Sequence, residues 1–293
     1  MELNPYALET DAVSFAYPDG FVALREVVFR VKRGEFVAML ASNGSGKTTL
    51  IKVLAGLLAP QSGSVQVDGR ELRTYSQADL YQKIGLVFQN PNDQLFGATV
   101  SEDVAFGPRN LGLPEEEVQR RVAEALLAVG AEELGERAIH HLSFGQQKRV
   151  AIAGVLAMKP AILILDEPTA GLDPAGEHSM LRLLGSLNRE HGITIVLATH
   201  SVDTLPLFAD RIYLLNRGCV LKEGPSEEVF RDHELIESAS LRLPYVSRLL
   251  HELKRFDGVP IDSLPLTLGE ARAQLLKLIP DEVILPVIEE GRS

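Results

Sequence analysis

Cysteine and long apolar runs are scarce in this sequence, which has one cysteine among 293 residues. The single Cys219 cannot form an intrachain disulfide and is typical of a reducing compartment. No apolar run approaches the roughly 18–20 residues that cross a bilayer, and the first residues show no secretory signal. We therefore expect a cytosolic chain that reaches a membrane only through a partner.

Positive charge is also scarce, since 29 Lys and Arg residues face 40 Asp and Glu residues and the formal net charge is −11. An acidic surface argues against a protein that follows a nucleic-acid backbone, because that task needs basic stripes. We therefore predict no nucleic-acid partner. The remaining composition, 45% hydrophobic and 24% charged, is typical of a globular protein, and the length allows a large core and a second domain.

The most informative stretch is the glycine-rich segment at residues 41–49, between a strand-like run at 35–40 and a helix-like run at 50–58. Small residues let consecutive backbone N–H groups turn toward one point, and the following helix adds its positive dipole end. Lys47 can then reach the β- and γ-phosphates of a nucleotide, and the Thr48 hydroxyl can bind Mg²⁺. The predicted nucleotide-binding residues of this loop are Ala41, Ser42, Asn43, Gly44, Ser45, Gly46, Lys47, Thr48 and Thr49.

Ala41 departs from the usual form of this loop, which opens with glycine. Alanine resists positive φ values, so we expect Ala41 to keep ordinary backbone dihedrals. The departure leaves the lysine and threonine of the motif in place.

Two acidic residues follow an apolar run later in the chain. Residues 162–165 are Ile-Leu-Ile-Leu, and Asp166 and Glu167 come directly after them. A buried strand delivers such acids at its carboxyl end, where ligands bind in open α/β sheets. Asp166 suits a ligand of Mg²⁺, and Glu167 suits a base that polarises an attacking water. By itself the pattern also fits a strand that ends in surface acids, but the phosphate loop favours the catalytic interpretation.

The order of these patterns predicts an α/β protein. The first third is rich in short strand-like segments, and residues 90–160 are mainly helical. Two apolar runs at 161–165 and 193–198 suit strands that are buried on both faces of a parallel sheet. A later change of pattern predicts a small C-terminal domain over residues 231–293, after a first domain over residues 1–230.

The motifs now assembled resemble those of the nucleotide-binding subunit of ATP-binding-cassette transporters. Residues 142–146, Leu-Ser-Phe-Gly-Gln, are similar to the family signature Leu-Ser-Gly-Gly-Gln, with Phe144 in place of a glycine. Residues 170–173, which end at Asp173, resemble the D-loop of the family.

Three single residues complete the resemblance. His200 is similar to the switch histidine that contacts the γ-phosphate, and Gln89 to the Q-loop glutamine near Mg²⁺ and the attacking water. Tyr17 is similar to the aromatic residue that stacks on adenine. All these motifs occur in the family's order, over about residues 8–230, and the ordered set is far more specific than any one of them.

The resemblance implies a P-loop NTPase core with a mixed sheet, an N-terminal antiparallel β subdomain, a helical subdomain over about residues 90–160 and a small C-terminal domain. It also implies two such subunits packed head to tail, with each ATP held between the phosphate loop of one and the signature of the other. The residues that it assigns are Glu167, His200 and Gln89 to catalysis, Tyr17, Ser143, Gly145, Gln146 and Asp173 to ATP binding beside the loop, and Thr48, Gln89 and Asp166 to Mg²⁺.

Residues 89–108 narrow the resemblance to the energy-coupling-factor branch, in which cobalt and nickel importer ATPases are found. Membership of that branch implies a second nucleotide-binding subunit, either a copy or a paralogue, and integral membrane subunits that carry the cargo. It further implies a peripheral position on the cytoplasmic face of the cell membrane. Cobalt, nickel and a vitamin all remain open as cargo, and the C-terminal domain remains open between dimerisation and regulation.

Other functions fit the sequence less well. ATPases of the same superfamily that act on chromosomes insert a very long coiled coil between loop and signature, whereas here the interval is about 90 residues without sustained heptads. Translation ATPases carry two cassettes and basic surfaces, and a P-loop GTPase or small kinase leaves residues 142–146 unexplained. A soluble ATP-dependent assembly switch with little catalysis remains an alternative, because Ala41 and Phe144 depart from the family pattern.

Overall fold

The protein, described by a computed structural model over residues 4–279, contains two β-sheets with helices packed on them. Its strands in this range are β1 (Tyr6–Ala16), β2 (Val22–Lys32), β3 (Phe36–Ala41), β4 (Ser62–Val67), β5 (Arg70–Glu71), β6 (Ile84–Val87), β7 (Ile162–Asp166), β8 (Thr194–Thr199), β9 (Arg211–Asn216) and β10 (Cys219–Gly224). Its α-helices are α1 (Lys47–Leu54), α2 (Gln77–Tyr81), α3 (Val100–Asn110), α4 (Glu115–Val129), α5 (Phe144–Leu156), α6 (Pro174–Arg189), α7 (Ser226–Arg231), α8 (His233–Ser238), α9 (Tyr245–Phe256) and α10 (Leu268–Leu278).

The two sheets differ in strand direction. The larger sheet has the order β10-β9-β3-β8-β7-β6 and is parallel except for β10, which pairs antiparallel with β9. The smaller sheet has the order β2-β1-β4-β5 and is antiparallel throughout. The predicted mixed sheet and the predicted antiparallel N-terminal subdomain are therefore both confirmed.

The central strands β3, β7 and β8 are buried at every residue, as the apolar runs at 161–165 and 193–198 predicted for β7 and β8. In β3, Leu40 packs on the side of helices α3–α6, while the neighbouring Met39 packs on the side of α1 and the smaller sheet. Because the strands are parallel, their carboxyl ends meet at one edge. That edge therefore carries the phosphate loop after β3, Gln89 after β6, Asp166 at the end of β7 and His200 after β8.

Helix α1 differs from its predicted bounds of 50–58. It begins at Lys47, directly after the glycines of the phosphate loop, and ends at Leu54. Gly56 has a φ of 74°, a conformation outside the helical region that glycine adopts readily, so the chain leaves the helix there. The earlier start places Lys47 and Thr48 in the first turn, where backbone N–H groups have no partner inside the helix.

Helices α3, α4 and α5 pack on one another and form the helical subdomain inserted between β6 and β7. Helix α4 has an apolar stripe that is buried along its length, at Val118, Val122, Ala125, Leu126 and Val129. This bundle carries the signature residues at its last helix.

The residues after 230 share part of the main core. Ile236 and Ala239 are fully buried in the same apolar cluster as the central sheet, and Leu266 packs there as well. A separate small cluster joins Leu250 of α9 to Ala271 of α10. The domain boundary at 230/231 stays a prediction, and residues 1–3 and 280–293 of the two predicted domains lie outside the described residues.

Candidate functional site

The phosphate loop connects β3 to α1 through two glycines that need positive φ. Gly44 has a φ of 78° and Gly46 a φ of 96°. A Cβ atom added to Gly46 would lie 2.5 Å from the carbonyl oxygen of Ala23, so no larger residue fits without movement of the backbone. Ala41 lies before the turn, in β3, and has no positive φ, as its sequence predicted.

The loop forms one wall of a cleft of about 190 Å³, here called the phosphate cleft. Its other walls come from the carboxyl edge of the parallel sheet and from the turn after β1. The lining residues are Phe21, Ser42, Asn43, Gly44, Gly46, Lys47, Thr48, Thr49, Gln89, Asp166 and Glu167. Residues separated by more than 100 positions in the sequence, Lys47 and Glu167 among them, are therefore brought together here.

Lys47 and Glu167 form a buried ion pair within this cleft. Their side chains are each 6% exposed, and the Lys47 ammonium also donates to the carbonyl of Ala41 at 3.3 Å. Two opposite charges in contact offset much of the desolvation that burial imposes on each. A phosphate bound in the loop would compete with the Glu167 carboxylate for the same ammonium.

Glu167 is held in an unusual backbone conformation, with a φ of 48°. Its N–H donates to the carbonyl of Ala198 at 2.9 Å, which fixes it against the neighbouring strand β8. Its carboxylate lies 2.9 Å from Nδ1 of His200 and accepts from the Thr199 hydroxyl at 3.4 Å. A strained residue persists only where its surroundings over-determine it, and such residues cluster at functional sites.

Asp166 and Thr48 offer oxygen ligands on the same side of the cleft. The Thr48 hydroxyl donates to Oδ2 of Asp166 at 2.8 Å, while Oδ1 of Asp166 is buried without a hydrogen-bond partner in the described structure. Burial raises the pKa of Asp166, although the bond from Thr48 opposes this shift. A buried, unpartnered carboxylate oxygen beside a hydroxyl and the amide of Gln89 is a donor set that Mg²⁺ prefers, so these residues fit the predicted ion.

Two aromatic residues lie beside the loop. The hydroxyl of Tyr17 lies 3.0 Å from that of Thr49, and its ring packs edge-on against Phe15 at 5.1 Å between centroids. Tyr17 does not line the cleft itself, whereas Phe21, which is 57% exposed, does. Sequence analysis missed Phe21, although an aromatic residue directly after the Pro-Asp-Gly turn that follows Tyr17 was a visible signal.

The predicted signature residues form a second region, here called the signature edge and defined as Ser143, Gly145, Gln146 and Asp173. Ser143 caps α5 by accepting from the Gln146 N–H at 3.3 Å, and the Gln146 side chain accepts from the Ser143 N–H at 2.9 Å. Asp173 caps α6 through the Gly176 N–H at 2.7 Å. None of the four lines the phosphate cleft of this chain.

The signature and the D-loop pack against each other within the chain. A Cβ added to Gly171 would lie 3.0 Å from the ring of Phe144, and one added to Gly145 would lie 3.5 Å from Leu172. The structure thus brings the predicted site residues together in two groups rather than one.

Lys148 is a further residue that sequence analysis did not assign. Its ammonium, 3% exposed as a residue, donates to the carbonyl oxygens of Gln89 at 3.0 Å and Glu167 at 3.2 Å. Burial lowers the pKa of Lys148, and the charge of Glu167 acts in the opposite direction. Its role was hard to predict from the sequence, because a lysine on a helix is usually solvated.

Several known proteins are similar to this chain over most of its length. The family model described as ABC transporter matches residues 24–170. An ABC transporter ATP-binding protein of Geobacter sulfurreducens is 55% identical, covering 92% of this chain and 96% of its own length. The energy-coupling factor transporter ATP-binding protein EcfA of Methanocaldococcus jannaschii is 48% identical, covering 94% of this chain and 99% of its own length.

Solved structures agree with the fold as well. The structure of cbiO1 from Clostridium perfringens, described as part of the ABC transporter complex cbiONQ, has a TM-score of 0.74 at 45% identity. It covers 85% of this chain, and all of cbiO1 is matched. The ATP-binding cassette MJ0796, described as a dimer in a post-hydrolysis state with ADP and Pi, has a TM-score of 0.68 at 32% identity, covering 75% of this chain and 98% of its own.

Proposed function

This chain belongs to the ABC transporter family, and we propose that it is the subunit that hydrolyses ATP to drive import through separate membrane subunits. The observation that supports the catalytic part best is the buried carboxylate of Glu167, in contact with Lys47 and His200 beside the phosphate loop. A base, a cation for phosphate and a histidine then converge on one point, as the hydrolysis of a terminal phosphate requires.

Most residues of the phosphate cleft have a role in this proposal. The N–H groups of the loop and the Lys47 ammonium bind the phosphates, and Glu167 orients and polarises the attacking water. His200 contacts the γ-phosphate from the neighbouring strand, and Gln89 positions the water from the end of β6. Thr48, Asp166 and Gln89 would hold Mg²⁺, which supplies neutralisation of the phosphate charge when it is bound.

The signature edge supports a site that two cassettes share. In one chain its polar groups are satisfied by helix capping and lie outside the phosphate cleft, which leaves the cleft open on one side. We therefore propose that Ser143 and Gly145 of a second cassette complete each ATP site, and that the partner is a copy or a paralogue. The dimeric state described for MJ0796 with ADP and Pi supports this arrangement.

An apolar groove of about 600 Å³ on the helical subdomain is a candidate dock for a membrane subunit. Phe96 is 65% exposed and Phe106 is 48% exposed, and their rings meet edge-on at 4.5 Å between centroids. Exposed aromatic pairs of this kind are typical of interaction sites. We propose that a cytoplasmic segment of the membrane partner inserts here, in the region of residues 90–113.

For the cargo we propose a transition-metal ion, cobalt or nickel, or a vitamin that a separate membrane subunit captures. The support is the resemblance of residues 89–108 to the energy-coupling-factor branch and the name of the Methanocaldococcus jannaschii relative.

No helix within residues 4–279 has both the length and the hydropathy to cross a bilayer. We propose a peripheral position on the cytoplasmic face of the membrane, and a role for residues 231–293 in dimerisation or regulation.

The test combines turnover with purification from membranes. Glu167→Gln keeps the shape of the side chain but removes the base, so turnover should fall by about 10²–10⁴-fold while ATP binding persists. The matched control is Glu116→Gln, which changes an exposed acid of α4. Equal steady-state turnover in Glu167→Gln and the parent would contradict the base role, and recovery of the tagged chain without any integral membrane subunit would contradict the transport role.

A further inference from the structure

A buried cation remains without a role in this site. Lys148 lies in the second turn of α5, five residues after Ser143, and is 3% exposed. Removing an ammonium group from water costs several kcal/mol unless well-placed acceptors replace the lost hydration. Its two acceptors are main-chain carbonyls, of Gln89 and Glu167, and the ring centroid of Phe144 lies 5.1 Å away.

The two carbonyls belong to neighbouring strand ends. Strands β6 and β7 pair in parallel, so Gln89 and Glu167, which follow them, lie on the same edge of the sheet. Both residues also contribute to the lining of the phosphate cleft. One ammonium group on the signature helix therefore bridges the main chain of two residues whose side chains are assigned to catalysis.

The contact with Glu167 is made where the backbone is strained. A non-glycine residue in the left-handed region costs roughly 1–2 kcal/mol and needs fixed partners. The Glu167 carbonyl accepts from the Ala170 N–H at 3.1 Å and from Lys148 at 3.2 Å, and the Glu167 N–H donates to Ala198 at 2.9 Å. Lys148 supplies the one side-chain donor among these three main-chain contacts.

We propose that Lys148 is a positioning residue for ATP hydrolysis, which holds the main chain of Glu167 and Gln89 so that their side chains face the γ-phosphate; this inference rests on the ATPase function proposed above. The ammonium does not contact the phosphates itself. Its loss changes the chemical step more than ATP binding, because the loop N–H groups and Lys47 do not depend on it.

The ring of Phe144, a residue of the signature motif, lies beside the Lys148 ammonium group. A cation at about 5 Å from a ring centroid is attracted by the face of the ring, and the attraction grows where water is excluded. The residue that departs from the family signature thus contacts the same ammonium group as the two catalytic strand ends. Lys148 therefore connects Phe144 of the signature motif to the phosphate cleft within one chain.

The test replaces Lys148 in three ways in the full chain. Lys148→Met and Lys148→Gln are both one bond shorter than lysine, the first without a donor and the second with a neutral donor, whereas Lys148→Arg keeps the charge. We expect kcat to fall by about 10–100-fold in Lys148→Met while the Kd for ATP stays within about threefold. We expect Lys148→Arg to recover most of the lost kcat and Lys148→Gln to be intermediate.

Arg149→Met is the matched control for a purely structural tether. Arg149 is the next residue of α5, and it donates to the Val129 carbonyl at 2.6 Å and to the Ser179 hydroxyl at 2.8 Å, away from the cleft. If Lys148 only tethers α5, both Met variants lower the thermal midpoint and change kcat alike. The proposal requires a kcat loss at Lys148 that is at least about tenfold larger than at Arg149.

The outcomes separate this inference from the proposed function. A parent protein that turns over no ATP contradicts the ATPase function itself, whereas an active parent whose Lys148→Met variant keeps kcat within twofold contradicts only the role of Lys148. A rise in Kd that accounts for the whole effect also contradicts it. Should Lys148→Met fail to fold, Lys148→Gln decides by the same two measurements.

Discussion

The phosphate cleft and the signature edge differ in the burial of their side chains, in charge and in backbone strain. The cleft buries three charged side chains, Lys47, Asp166 and Glu167, and holds one of them in a strained conformation. At the signature edge, by contrast, Ser143 and Asp173 are exposed and are satisfied by ordinary helix capping. The strained and charged region has its partners inside one chain, whereas the relaxed region does not face its own nucleotide site.

This difference indicates how the work is divided. Buried charge and strain are costly, and a chain retains them where chemistry needs groups that are already in place. Capping residues do not destabilise the isolated chain, because they stabilise their own helices even without a second cassette. We therefore expect substitutions in the cleft to change events within one chain and substitutions at the edge to change events that need two.

The largest effect that separates the two regions should come from Ser143→Arg. The arginine replaces the hydroxyl that the second cassette is expected to offer to the γ-phosphate, so turnover should fall by about 10²-fold or more, as for loss of a transition-state contact. The ATP affinity of a single chain, measured by equilibrium dialysis at low protein concentration, should stay within about twofold. A parallel loss of single-chain affinity would contradict the division between cleft and edge.

Mixing experiments sharpen this prediction. When Ser143→Arg is mixed in equal amounts with Lys47→Ala, about half of the dimers contain one of each chain, and each such dimer has one intact composite site. At an ATP concentration below the raised Kd of Lys47→Ala, turnover should therefore return to about a quarter of the parent value, although each variant alone turns over far less ATP. Absence of recovery, with mixed dimers demonstrated by two affinity tags, would contradict shared sites.

Lys47→Ala should produce the next largest effect, this time within one chain. It removes the charge-assisted hydrogen bonds that we propose Lys47 makes to the phosphates, each worth about 1.5–3 kcal/mol, so Kd for ATP should rise by roughly 10–100-fold. Lys52→Ala, a lysine of the last turn of the same helix, is the matched control. The thermal midpoint must be measured as well, because loss of one partner of a buried ion pair also destabilises the fold.

Much of the cleft could be predicted from the sequence, since its residues follow apolar runs. The runs before residue 41, before Asp166 and before His200 are mostly apolar because β3, β7 and β8 are covered on both faces. Parallel pairing then places their carboxyl ends together without further information. The turn at Gly44 and Gly46 was equally predictable, because both residues have positive φ and the backbone of Ala23 approaches Gly46 closely.

The pairings inside the cleft were not predictable in the same way. The contact of Lys47 with Glu167 spans 120 positions, and the burial of Lys148 depends on how α5 lies beneath two strand ends. Helical periodicity describes which residues share a face, but not what that face meets. Likewise, the place of Ile236 and Ala239 in the main core depends on tertiary packing.

A smaller effect should come from Asp166→Asn, which should raise the stability of the fold, whereas Lys47→Ala should lower it. Oδ1 of Asp166 is buried without a hydrogen-bond partner among residues 4–279, and a neutral amide is cheaper to bury than a charged carboxylate. At pH 7 and without nucleotide, the free energy of unfolding should rise by about 0.5–2 kcal/mol, while Mg²⁺-dependent turnover is lost. Urea unfolding at matched pH measures the first quantity, and Asp257→Asn, an exposed acid, serves as control.

The pH dependence of this gain follows from the raised pKa of Asp166. Because the folded chain holds the proton more tightly than the unfolded chain, the destabilisation is fully present above the folded pKa. It disappears as the pH falls below the ordinary value of 3.8, where both states are protonated. A gain that is constant from pH 7 to this range would contradict burial of the charge as its cause.

The smallest effects on the free energy of unfolding should come from substitutions of the capping residues at the signature edge. Ser143→Ala removes the hydroxyl that accepts from the Gln146 N–H, which should cost about 1 kcal/mol of unfolding free energy, whereas Ser143→Gly should cost only a few tenths. If capping were the whole role of Ser143, turnover would follow stability and the glycine variant would be nearly as active as the parent. Because the second cassette is expected to offer this hydroxyl to the γ-phosphate, both variants should instead lose turnover to a similar extent. The comparison therefore depends on a pair of substitutions that differ in stability but share one missing oxygen atom.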